Sequence, residues 1–118
     1  MRRFLGLLLR REGYEVLEAR NGAELLETLA AQLVRPSSRP AIDLVISDLR
    51  RPYLTGIAVL RWLRSAEWTT PFVLLTAFGG EDVRRRAVTL GAAAVFEKPF
   101  DVSDLRACVH QLVGYADS

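Results

Sequence analysis

A single cysteine, a single lysine and the lack of any long apolar run are the scarcities that narrow this 118-residue chain. Cys108 alone rules out an internal disulfide and every cysteine-cluster metal site, and it makes a cytoplasmic location the default expectation. The apolar stretches run about four to six residues, far short of the ~20 that cross a bilayer, so no membrane partner is expected. Met1-Arg2-Arg3 and the apolar Phe4 to Leu9 begin like an export signal. Arg10-Arg11-Glu12 then interrupts the stretch, with no small-residue cleavage site. No acidic residue precedes Glu12.

What is present is the balance of a globular domain. Half the residues are hydrophobic and a quarter are charged. The length suits one domain that buries roughly two-thirds of its unfolded surface. The net charge of +2 comes from fifteen arginines and one lysine against fourteen acidic residues. An arginine bias of this kind reads as coding composition, and no nucleic-acid partner is expected. Arg84-Arg85-Arg86 falls on a helical segment, where consecutive side chains point different ways and no aromatic residue interleaves them.

Patterning gives an ordered series of elements. Phe4, Leu5, Leu8 and Leu9 recur at helical spacing over Arg2 to Glu12, and Gly13 ends that helix. Tyr14 to Ala19 alternates as a short strand. Asn21 with Glu24 caps a helix from Gly22 to Leu33, followed by the Pro- and Ser-rich loop Arg35 to Pro40. Ile42 to Ser47 reads as a buried strand, with a turn at Asp48 and a helix from Gly56 to Ser65. Pro71 introduces the strand Phe72 to Thr76, and Glu81 to Leu90 is helical up to Gly91. Ala93 to Phe96 is a strand, and Asp101 caps a helix over Val102 to Val113 that buries Leu105, Val109 and Leu112. The order αβαβαβαβα predicts a doubly wound parallel α/β sheet.

Three polar side chains then end three successive strands: Asp48, Thr76 and Lys98. Singly, each has a bland reading as a turn former, a strand residue or a surface lysine. Together they lie at the carboxyl edge of the sheet, where open α/β folds place their chemistry. A carboxylate, a hydroxyl and an ammonium there suit phosphoryl transfer to Asp48. The hydroxyl would bond a phosphoryl oxygen and the ammonium would offset its charge.

Ser47-Asp48-Leu49-Arg50-Arg51-Pro52, Thr55-Gly56, Leu75-Thr76-Ala77-Phe78-Gly79 and Glu97-Lys98-Pro99-Phe100, in that order, resemble the signature of response-regulator receiver domains. The resemblance runs from Met1 to about Val113. It implies a flavodoxin-like fold and a single receiver-like domain over residues 1–118. It also implies a role in a two-component phosphorelay, with Asp48 as the phosphoacceptor from a histidine kinase. Thr76, Ala77 and Lys98 would hold the phosphoryl group, with Thr76 reorienting on phosphorylation and the Lys98–Pro99 peptide cis. The Arg50 backbone carbonyl and Asp48 would be ligands of Mg²⁺. The response surface would span Glu81 to Val113. The module is expected to signal and not to act as an enzyme. A hydrolase reading lacks a general acid two residues after Asp48, where Arg50 stands.

Two departures qualify this. The family's first strand, with the acidic pair that holds Mg²⁺, would lie before Met1, so the domain is expected to be N-terminally incomplete with weak or absent metal binding. That strand normally lies between the Tyr14–Ala19 and Ile42–Ser47 strands. About five missing buried side chains at roughly 1.5–3 kcal/mol each remove on the order of 10 kcal/mol, comparable to a domain's whole stability. The neighbours could close up, Phe4 to Leu9 could become a strand, or a second chain could complete the fold. A homo-oligomer is the expectation. The second departure concerns the family's aromatic switch position, occupied here by Val95, with Phe96 pointing to the opposite face. The rival reading is a phosphorylation-independent interaction module. A further reading is an incomplete form of an ordinary receiver.

Overall fold

The computed structural model describes residues 2–18, 22–34, 42–49, 54–67, 69–76 and 81–114. Helix α1 (Arg2–Arg11) is followed by α2 (Gly22–Val34), β1 (Val45–Leu49), α3 (Leu54–Ser65) and β2 (Phe72–Thr76). Helix α4 (Glu81–Thr89), β3 (Ala94–Glu97) and α5 (Val102–Val113) complete the order. The strands form one parallel sheet in the order β1-β2-β3, with Val45 opposite Phe72 and Val73 opposite Ala94. The expected doubly wound class therefore holds.

The central strand explains the layering. Every residue of β2 is buried, and alternate side chains serve opposite faces. Phe72 and Leu74 join Val45, Ile57, Leu60 and Leu63 in a core beneath α2, α3 and α4. Val73 and Leu75 join Leu5, Leu105 and Val109 in a second core beneath α1 and α5. A continuous apolar run is what a strand covered on both faces requires, and Phe72-Val73-Leu74-Leu75 supplies it.

Helix ends follow their local chemistry. Gly13, at φ 95°, takes the left-handed conformation that closes α1, and its N–H donates to the Arg10 carbonyl. Gly91, at φ 94°, does the same after α4. The Asp101 carboxylate accepts from the Ser103 N–H at 2.8 Å, as its position before α5 predicts.

The expected strand Tyr14 to Ala19 is not formed: residues 14–18 pair with no strand among the described residues. The backbone is held by α1 instead. The Tyr14 N–H donates to Leu9 O at 3.1 Å, and the Arg10 guanidinium donates to Val16 O at 3.0 Å. A strand needs a ladder neighbour, and the partner that the family order assigns to this segment is not found among the described residues. Of the two intramolecular remedies, neither is observed there. The segment does not pair with β1, and Phe4 to Leu9 is helical.

Other corrections are shifts of boundary. β1 starts at Val45 and not at Ile42, because Val45 is the first residue with a partner: its N–H donates to Pro71 O, and it faces Phe72. β1 also runs on through Leu49, so Asp48 lies within the strand and not in a turn after it. Helix α3 begins two residues before the expected Gly56, and β3 lies one residue later than expected.

Candidate functional site

Parallel pairing brings the carboxyl ends of all three strands to one edge. In the register, Asp48 faces Leu75, Leu49 faces Thr76, and Thr76 faces Glu97. The Lys98 N–H donates to Thr76 O at 2.8 Å, which joins the ends of β2 and β3 one step beyond the ladder. Thr76 is wholly buried and Lys98 half-buried. The Lys98–Pro99 peptide is cis, as the resemblance implied. The fold thus brings Thr76, Lys98 and the backbone of Asp48 to one edge of the sheet. The Asp48 side chain, Arg50 and Ala77 lie outside the described residues.

Packing behind the edge separates two faces. Val95 lies with the α2–α4 core, whereas Phe96 lies with the α1–α5 core, as strand alternation predicts. Phe96 meets Phe100 with ring centroids 5.7 Å apart and planes at 56°. These two rings flank Lys98-Pro99 in the chain. On the other face, Arg84 of α4 approaches Glu97 at 3.7 Å, with both side chains about half exposed. Such an exposed pair is worth little.

A metal at this edge would need oxygen donors. Among the described residues no three His, Cys, Asp or Glu side chains cluster to hold an ion. The donors that the resemblance names are the Asp48 carboxylate and the Arg50 backbone carbonyl, and Mg²⁺ commonly completes its octahedral shell with water and substrate phosphate oxygens.

Sequence reasoning missed one polar cluster. Glu12 accepts a hydrogen bond from Arg106 on one carboxylate oxygen and from His110 Nε2 on the other, the latter at 2.8 Å. The Tyr14 ring lies 5.9 Å from the His110 ring, and the Tyr14 hydroxyl donates to Gly114 O at 2.8 Å. The hydrogen bond from Arg106 is the main cause holding the Glu12 carboxyl below its ordinary range, and Glu12 in turn raises Arg106. The partners lie about ninety or more residues apart, and no periodicity links them. The only sequence signal was the acidic residue at the end of an otherwise basic helix.

Comparison with known proteins agrees with this geometry. The family model described as "Response regulator receiver domain" matches residues 1–110. Sporulation initiation phosphotransferase F of Bacillus subtilis is 30% identical over 109 residues, covering 92% of this chain and 82% of that protein. Transcriptional regulatory protein PdtaR of Mycobacterium tuberculosis is 41% identical over 102 residues, 86% of this chain but only 45% of PdtaR. Among solved structures, a response regulator receiver protein from Burkholderia phymatum superposes with a TM-score of 0.75 at 35% identity. It covers 98% of this chain and 87% of that one. A receiver domain protein from Clostridium thermocellum gives a TM-score of 0.78 at 28% identity, covering 95% and 84%. The chain belongs to the family of response-regulator receiver domains.

Proposed function

We propose that Asp48 is the phosphoacceptor of this receiver domain in a two-component phosphorelay, that a histidine kinase supplies the phosphoryl group, and that transfer is slow. The observation that carries the reading is the junction of the strand ends. Thr76 and Lys98 are tied by a 2.8 Å backbone hydrogen bond, and Asp48 lies on the adjoining strand one register step back. In the transfer, a carboxylate oxygen of Asp48 attacks phosphorus, and the bond from phosphorus to the kinase imidazole nitrogen breaks. An acyl phosphate forms, and the imidazole leaves with the electron pair. The Thr76 hydroxyl donates to a phosphoryl oxygen, the Ala77 N–H assists it, and the Lys98 ammonium offsets the added charge.

The slowness follows from the donor set. In the donor set that the resemblance assigns, Asp48 and the Arg50 carbonyl would hold Mg²⁺, and a single carboxylate would leave the ion weakly bound and the developing charge less offset. The domain acts as a signalling module and not as an enzyme. Among the described residues no helix is long and apolar enough to cross a membrane. The outer edge of β1 has no ladder partner among the described residues, which supports a homo-oligomer in which a second copy covers that edge.

Incubation with a small phosphodonor such as acetyl phosphate, followed by intact mass, tests the proposal. The expected result is a slow gain of one phosphoryl group in the native chain and none in Asp48→Asn. No gain under any Mg²⁺ concentration would favour the phosphorylation-independent interaction module.

A further inference from the structure

Strand β3 ends on a carboxylate that lies beside the buried threonine of the strand-end edge. Glu97 is opposite Thr76 in the parallel register. Phe72 and Leu74 of β2 join the core beneath α2, α3 and α4, and strand alternation carries Thr76 to that same face. Val95 of β3 packs against the same core, so alternation puts Glu97 on this face as well. Neighbouring strands lie only about 4.8 Å apart. The hydroxyl expected to bond a phosphoryl oxygen therefore has a carboxylate as its cross-strand neighbour.

Left to itself, that carboxylate opposes transfer. It adds negative charge beside the place where a phosphoryl group arrives, and it competes as an acceptor for the Thr76 hydroxyl. Arg84 of α4 meets it, with a guanidinium nitrogen 3.7 Å from Glu97 Oε1. Val83 and Ala87 pack into the core that Val95 adjoins, which holds α4 against β3 and sets Arg84 at the end of the strand. The next residue, Arg85, turns instead to Glu81 and Asp82 on its own helix, each at 3.9 Å. The Arg84–Glu97 side chains are about half exposed, so the pair adds little to stability. Its effect on a neighbouring anion is a separate matter, because cancelling the Glu97 charge changes the field at the phosphoryl group whether or not it strengthens the fold.

We infer that Arg84 is a positioning residue for phosphoryl transfer to Asp48. It neutralises Glu97 and holds that carboxylate toward α4, which leaves the Thr76 hydroxyl to the phosphoryl group. Arg84 acts through Glu97 and not by touching the phosphoryl group itself. The inference rests on the phosphoacceptor reading and adds a residue to it from outside the three strand ends.

Initial rates of phosphoryl incorporation from acetyl phosphate test it in the native chain, Arg84→Ala, Glu97→Gln and the double variant, with urea unfolding checking that each is folded. Arg84→Ala is expected to slow incorporation about two- to five-fold, the scale that a half-exposed charge pair exerts. Added salt is expected to narrow that gap, and Arg84→Lys to restore most of the rate. Glu97→Gln is expected to match or exceed the native rate, and in its presence Arg84→Ala is expected to change nothing further. If Arg84→Ala fails to fold, Arg84→Gln removes the charge while keeping a long side chain. A native rate in the variant without the Arg84 charge overturns the inference and leaves the phosphoacceptor reading standing. An equal loss with Glu97 and with Gln at that position does the same, because it puts Arg84 on the phosphoryl group directly. No incorporation in the native chain, or incorporation that persists in Asp48→Asn, overturns the phosphoacceptor reading and the inference with it.

Discussion

At the scale of single residues, charge and burial set the behaviour of groups far from the strand ends. The hydrogen bond from Arg106 is the largest cause lowering the Glu12 carboxyl, with the Arg106 charge and the His110 hydrogen bond acting the same way. A carboxylate depressed in the folded state stabilises fully above its unfolded value and loses that contribution as pH falls through the folded value. The loss should therefore begin near 4.5, the ordinary value, and continue below it. Glu12→Gln should flatten the acid limb of the pH–stability curve measured by urea unfolding, with little change in the shape of the curve near neutrality. Cys108 shows the opposite effect: burial pushes its thiol up, so the thiolate is scarcer than on a free cysteine. Alkylation of the native protein near neutral pH should be slower than that of the urea-unfolded chain, and equal rates would contradict the burial.

At the scale of elements, turn geometry is the sharper constraint. Gly91 holds φ 94°, and a Cβ there would stand 3.0 Å from Arg64 Nε. Arg64 is itself engaged with the carbonyls of Thr70 and Gly91, so it has little room to yield. Gly91→Ala should cost more than about 1 kcal/mol in denaturant unfolding, because both conformation and space oppose it. An unchanged midpoint would show that the turn relaxes freely.

Elements were also where the sequence was most and least legible. Helix α5 and strand β2 were read to the residue, because the Asp101 cap, Pro71 and uninterrupted apolar patterns mark them locally. The start of β1 was misplaced by three residues because Ile42 and Val45 are equally good strand formers, and only the partner strand decides between them. Tyr14 to Ala19 alternates convincingly yet forms no strand over residues 14–18, since β structure needs a neighbour that alternation cannot supply. The Asp48–Thr76–Lys98 edge was legible because topology brings parallel strand ends together. The Glu12–Arg106–His110 cluster was not, because tertiary contact alone creates it.

For the whole molecule, the outer edge of β1 dominates, since it has no ladder partner among the described residues. Ile46 and Leu44 pack against the α1–α5 core yet are only half-buried. Covering that edge by a second copy would remove apolar surface from water at about 25 cal/mol per Å². Size-exclusion chromatography with light scattering should give a mass at least twice that of one chain. A clean single-chain mass across the concentration range would contradict the oligomer.

Phosphoryl transfer to Asp48, proposed above, is read out by the initial rate of phosphoryl incorporation from acetyl phosphate followed against Mg²⁺ concentration. The expected rate is low, rises without saturating as Mg²⁺ increases, and vanishes in Asp48→Asn. A fast rate that saturates at low Mg²⁺, or incorporation that persists in Asp48→Asn, would contradict it.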